Sequence, residues 1–177
     1  PMHNGEAHLL HELIARRAAH EPARAALSYR GHTLSYGELW QQVQGFANGL
    51  LGLGLARGDR AGIYLEKRFE TVVASFGAPA AGLVFVPMNP LLKPEQVGFI
   101  ARDCGVRVLV TSAERYAQLL PALAECPELR AVVLTEGAQA QAPAPWAVLD
   151  WAALLQAPAQ APHRPRPGAA GRWRDRR

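Results

Sequence analysis

Three groups of residues in this 177-residue chain are of types that do chemistry. The first is a run of glycines, Gly52, Gly54 and Gly58, spaced G-x-G-x-x-x-G. A glycine loop can cradle a phosphate on its backbone amides, but it must follow a strand and open a helix. These glycines close a helical pattern and open an extended one, so they read as a helix C-cap and turn. The second group is His8 and His11, one helical turn apart and followed by Glu12. The order H-x-x-H-E matches neither H-E-x-x-H nor H-x-x-E-H, and a solvated helix face is the better reading. The third group is the cations Lys67, Arg68 and Lys93, expected as solvated connections rather than phosphate ligands. No residue is assigned a catalytic, cofactor-binding or metal-ligating role.

Composition narrows the classes further. Hydrophobic residues make up 49% and charged residues 19%, ordinary for a globular protein. A chain of this length buries roughly 70% of its unfolded surface. The net charge of +4 comes from the last fifteen residues, HRPRPGAAGRWRDRR, which hold six arginines and one aspartate. The remainder is close to neutral and lacks the basic footprint of a nucleic-acid-binding domain. A sequence-blind phosphate contact through the arginines is the weaker reading left to this tail. Cys104 and Cys126 form no C-x-x-C pair and read as small buried hydrophobes of a reducing compartment, hence a cytoplasmic protein. Thr71 to Leu92 carries no charge over 22 residues, long enough to cross a bilayer. Pro79, Pro87 and Pro90 break it, and a buried helix followed by a buried strand gives the same hydropathy.

The elements that must position any site alternate along the chain. Ala7 to His20 reads as an amphipathic helix with Leu9, Leu10, Leu13 and Ile14 on its buried face. Ala25 to Tyr36 reads as a hairpin turning at Gly31-His32. Ser35, with Glu38 three residues on, forms a capping box for a helix carrying Leu39, Val43, Phe46, Ala47 and Leu50 inward. Arg60–Glu66 is a predicted strand, Phe69–Gly82 a helix stopping or kinking at Pro79, and Leu83–Pro87 an apolar strand expected to be central and parallel. Pro94 opens a helix to about Asp103. Val106–Thr111 is a strand, Ser112 caps a helix to about Glu125, and Arg130–Thr135 is a further strand. This alternation predicts an α/β fold, a mostly parallel sheet with flanking helices, preceded by a helix and a β-hairpin. Four regions are expected: a frayed terminus at 1–6, the globular part at 7–136, an Ala/Pro/Gln-rich linker at 137–162 and a basic disordered tail at 163–177. Within the linker, Trp146 to Leu155 fits a short strand and one helical turn capped by Asp150.

Three pieces carry a family resemblance: ALSYRGHTLSYGELWQQVQGFANGL, GLARGDRAGIYLEKRFETVVASFGAPAAGLVFVPMNPLLKPEQVGFIARD and VRVLVTS. Their order and spacing over residues 8–136 resemble the amino-terminal part of AMP-forming acyl-CoA synthetases, within the adenylate-forming enzymes. The LLKPEQ and RDC wording further resembles acyl-CoA ligases encoded beside exosortase systems. The resemblance implies an incomplete amino-terminal subdomain of the adenylate-forming AMP-binding fold. For the full-length family it implies ATP, magnesium, coenzyme A and a small-molecule carboxylic acid. The family's phosphate loop, T-S-G-[ST]-T-G-x-P-K-G, is not found in these residues, nor are its later motifs, so no cofactor is expected on this stretch. The tail composition is what an out-of-frame reading of a GC-rich gene gives, and the expectation is a truncated ligase, inactive alone. The alternative is a non-catalytic module that docks a partner chain, or a second copy, through an apolar sheet edge.

Overall fold

The computed structural model describes residues 10–158, so the expected frayed terminus, His8 and the basic tail lie outside the described residues. The described chain begins with α1 (Leu10–His20), which ends just before Glu21-Pro22. Ile14 is buried, but Leu13 is 53% exposed, against the expectation that it faces inward. The ring of His11, expected in solvent, is half-buried and stacks parallel to Trp40 at 6.5 Å. α1 packs on the second and third helices of the chain, and Leu13 lies away from that contact.

The hairpin is β1 (Ala25–Tyr29) and β2 (His32–Ser35). Its turn falls on Arg30-Gly31, one residue earlier than expected. Both have positive φ, 49° and 79°, as a tight primed hairpin turn requires. The Arg30 guanidinium lies 5.1 Å from the Tyr29 ring centre. Ser35 then caps α2 (Tyr36–Leu51): its hydroxyl accepts from the Glu38 amide and the Glu38 carboxylate accepts from the Ser35 amide.

Five parallel strands follow: β3 (Arg60–Tyr64), β4 (Val84–Pro87), β5 (Val106–Thr111), β6 (Ala131–Leu134) and β7 (Ala147–Asp150). Their spatial order is β4-β3-β5-β6-β7. Between them run α3 (Phe69–Ala80), α4 (Pro94–Asp103), α5 (Ala113–Leu123) and, after β7, α6 (Trp151–Leu155). Pro79 sits in the last turn of α3, where the chain is already leaving the helix through Gly82 at φ 81°.

β4 is a correction to the expectation of a central strand. It is parallel, but it forms one edge of the sheet, and Val84 is 51% exposed. An apolar strand run reports two partly covered faces and says nothing about whether both edges are paired. The segment expected as linker carries β7, which pairs in register with β6, and α6, capped by the Asp150 carboxylate at the Ala153 amide.

The sheet has a core on each face. On one, Ala61, Ile63, Val108, Val110, Ala131 and Val133 meet Phe46 and Leu50 of α2, Val73 and Ala78 of α3, and Trp151 and Leu154 of α6. On the other, Leu109, Val132 and Leu134 meet Val97 of α4 and Tyr116, Leu119 and Leu123 of α5. Close approach depends on glycines inside helices: a Cβ on Gly49 would stand 2.5 Å from Leu154 Cγ, and one on Gly77 2.5 Å from Phe46 Cδ1. Among the described residues no helix is long and apolar enough to cross a membrane.

Candidate functional site

The direction of the crossovers places the site. The chain leaves β3 for α3 on one face of the sheet and leaves the adjacent β5 for α5 on the other. The loops beyond these two strand ends therefore part, and in open parallel sheets that parting is where ligands bind. A crevice of about 650 Å³ lies there. Its wall comes from the end of β3 and its exit (Tyr64, Glu66, Arg68), the turn after β4 (Pro90 to Lys93), the start of α5 (Ser112, Glu114, Arg115) and the exit of β6 (Glu136).

Each polar group reaches the crevice for a local reason. Thr111, last in β5 and fully buried, donates its hydroxyl to the Tyr64 carbonyl at 2.7 Å, tying the two strand ends together. Ser112 caps α5 and accepts from the Arg115 amide at 3.3 Å. That cap aims Arg115 back across the sheet edge. Its Nε reaches Glu66 at 3.3 Å, its Nη1 donates to the Pro90 carbonyl at 2.9 Å, and its guanidinium lies 4.5 Å from the Tyr64 ring centre. Arg68 donates to Glu70 at 2.8 Å and stands 3.4 Å from Glu66 and 3.7 Å from Glu136. Glu136 also takes the Ala113 amide at 3.2 Å and the Thr135 hydroxyl.

The charges tune one another. The Glu66 carboxyl is held below the ordinary carboxylate value chiefly by its own backbone amide; burial opposes this, and Arg115 and Arg68 add to the lowering. Arg68 is raised, chiefly by its hydrogen bond to Glu70. Carboxylates and guanidinia here satisfy each other, so the crevice is electrically balanced and its arginines are already engaged. Such an arrangement fixes loops; it does not hold a nucleophile next to a base. The hydroxyls of Thr111 and Ser112 serve backbone groups. Among the described residues, no three His, Cys, Asp or Glu side chains stand close enough to hold a metal ion.

The cations singled out in the sequence divide. Lys67 and Lys93 are exposed, as expected, and both face open grooves at this sheet edge. Arg68 is a correction: its side chain is only 22% exposed and sits among three carboxylates. Tyr64, Glu66, Arg115 and Glu136 escape sequence reasoning, because no short motif contains them. Their one sequence signal is position: each stands at, or within a few residues past, the end of a parallel strand. Of the glycine run, Gly52 caps α2, and Gly54 and Gly58 take positive φ in the turn to β3. Cys126 is buried and its thiol is pushed up by burial, whereas Cys104 is half-buried.

Comparison with known proteins gives consistent results. A family model described as AMP-binding enzyme matches residues 14–169, running past residue 136 through β7 and α6. A linear gramicidin synthase of Brevibacillus parabrevis is 32% identical over 114 residues, 64% of this chain and 2% of that protein. The acetyl-coenzyme A synthetase of Syntrophobacter fumaroxidans is 29% identical over 170 residues, 87% of this chain and 26% of that protein. A crystal structure of an anthranilate CoA ligase in complex with anthranoyl-AMP superposes with a TM-score of 0.67 at 26% identity. It covers 70% of this chain and 24% of that one. The chain thus spans about a quarter or less of the length of these relatives.

Proposed function

Because this chain belongs to the AMP-binding enzyme family, we propose that it is the amino-terminal scaffold of an AMP-forming acyl-CoA ligase. In that reaction a carboxylate oxygen attacks the α-phosphorus of ATP and pyrophosphate leaves; the thiol of coenzyme A then displaces AMP to give the thioester. The observation that carries the reading is the family match over residues 14–169 in a chain that spans only 26% of an acetyl-coenzyme A synthetase. The wording of residues 91–104 supports a narrower placement, among the acyl-CoA ligases encoded beside exosortase systems. Use of ATP and coenzyme A, together with two unpaired thiols, supports a cytoplasmic site of action.

The described residues do not complete that chemistry by themselves. Adenylation needs phosphate charge to be neutralised by amides, a lysine and magnesium placed in advance. The described residues do not fit that demand. Arg68 and Arg115 are bound to Glu70 and Glu66, Glu136 covers the Ala113 amide at the start of α5, and no acidic cluster among the described residues awaits magnesium. No step of the reaction is therefore assigned to them. The test is exchange of labelled pyrophosphate into ATP by the purified chain with acetate, decanoate or anthranilate. Exchange is expected at the level of a protein-free blank; exchange rising in proportion to added protein overturns the proposal.

One observation favours a second reading, a docking module without catalysis. Among the described residues β4 and β7 each pair on one side only, and Val84 on the β4 edge is half in solvent. Unpaired edges with exposed apolar side chains template association. Sedimentation velocity separates the readings, since a compact monomer across the micromolar range is incompatible with an open docking edge.

A further inference from the structure

The turn between β4 and α4 is held in an unusual way. Leu91 at its tip is 88% exposed, the most solvent-open large apolar side chain among the described residues. Burial of Leu91 therefore contributes nothing to holding the turn in place. Two side chains from elsewhere do it instead. Arg115, in the first turn of α5, donates to the Pro90 carbonyl at 2.9 Å, and Tyr64, last in β3, donates to the Leu92 carbonyl at 2.6 Å. The two anchored carbonyls flank Leu91. The anchors are joined to each other, since the Arg115 guanidinium lies over the Tyr64 ring. Within the turn, the Leu91 amide donates to Asn89 Oδ1 at 2.9 Å and the Leu92 amide to the Asn89 carbonyl at 3.0 Å.

This strap has a cavity on each side. On one lies the charged crevice; on the other lies a groove of about 490 Å³ walled by Ile63, Leu65, Thr71, Pro87 and Met88. Pro90 and Leu91 line both. We propose that residues 90–92 are a latched partition, that Arg115 and Tyr64 are its positioning residues, and that unlatching joins the charged crevice to the apolar groove. The joined space has a charged end at Arg115 and Arg68 and an apolar end at Ile63 and Met88, the polarity of an amphipathic ligand. Within the strap Leu91 is free of the core while Leu92 packs partly against it, so the two carbonyl contacts and the Leu92 packing together set its closed population. The proposal rests on geometry alone and stands whether or not the chain belongs to an active ligase.

The experiment compares the parent chain with Tyr64→Phe, which removes only the hydroxyl, and Arg115→Met, which keeps a long apolar stem. Hydrogen exchange is followed at the Leu91, Leu92 and Lys93 amides, with Val108 to Val110 in β5 as internal reference. Each variant is expected to speed exchange in the strap about fivefold, the equivalent of one net hydrogen bond, with β5 unchanged. Because the anchors touch, the double variant is expected to gain less than the product of the singles. Anilinonaphthalene sulfonate, a dye with aromatic rings and one anionic group, is expected to fluoresce more strongly on Tyr64→Phe, which opens the strap and keeps the Arg115 charge. Strap exchange at the parent rate, or a rise matched in β5, overturns the latch. Faster strap exchange with unchanged dye emission overturns the partition. Tyr64→Phe alone decides the latch if Arg115→Met does not fold.

Discussion

Replacing Gly49 by alanine tests whether α6 is seated as tightly as the structure shows. Gly49 lies on the face of α2 that receives α6, and an added Cβ would stand 2.5 Å from both Leu154 Cγ and the Leu154 carbonyl oxygen, and 2.8 Å from Leu154 Cδ1. Ordinary carbon contacts begin near 3.5 Å, so α6 would have to retreat by about 1 Å. It is not free to do so: Trp151 and Leu154 are each 7% exposed, and Trp151 stacks on Phe46 at 4.9 Å. Two effects oppose each other. Alanine is the better helix former by about 1 kcal/mol. Overpacking a filled site costs about 1–3 kcal/mol, and here one of the atoms that must move is backbone. With a backbone atom to displace the cost falls in the upper part of that range, about 2–3 kcal/mol, which leaves a net loss of about 1–2 kcal/mol. Urea unfolding followed by circular dichroism would read it as a lowered midpoint at unchanged slope. The Gly49→Ala/Leu154→Ala double variant is expected to lose less than the sum of the singles, because two of the three close contacts are to Leu154 side-chain atoms. A Gly49→Ala chain as stable as the parent would refute the close seating of α6.

Two further predictions concern buried polar groups and acid. Trp146 donates its indole N–H to the Tyr116 hydroxyl at 2.9 Å, and the two residues are 8% and 1% exposed. Tyr116→Phe leaves that donor unpaired, so the thermal midpoint is expected to fall by the equivalent of about 1–3 kcal/mol. Glu66 has a folded value below the ordinary 4.5, so its ionised form favours the fold. Its contribution is present above that pH and is lost as pH falls through the lower folded value. The stability gap between the parent and Glu66→Gln, read by urea midpoints, is expected to close on acidification below about pH 4.5; a gap constant down to pH 3 would exclude this role.

Much of the architecture was legible because local rules and burial point the same way. Ser35 with Glu38, Ser112 and Asp150 mark helix starts by chemistry that needs only neighbours three residues away. The apolar runs of β5 and β6 mark strands buried on both faces. The hairpin turn falls one residue early because Arg30 adopts a positive φ that its side chain does not advertise. Leu13 departs from its expected face because periodicity reports an apolar stripe and not what covers it. The candidate site was the least legible part. Arg115 meets Glu66 across 49 residues and Pro90 across 25, and no spacing rule relates positions so far apart.

The sequence by itself determined which segments are helix and strand, their parallel arrangement and the resemblance to adenylate-forming enzymes. Each of these follows from caps, periodicity and motif order, which are properties of contiguous residues. The tertiary structure alone decided that β3 sits inside the sheet with β4 at its edge, and that the crevice opens between β3 and β5. It also decided that Arg68 joins a network of carboxylates and that α6 rests on Gly49. Hydropathy records how much a residue is covered, not by which partner. Strand order, by contrast, is settled by which crossovers bury both sheet faces at once, and only that choice brings distant side chains to one edge.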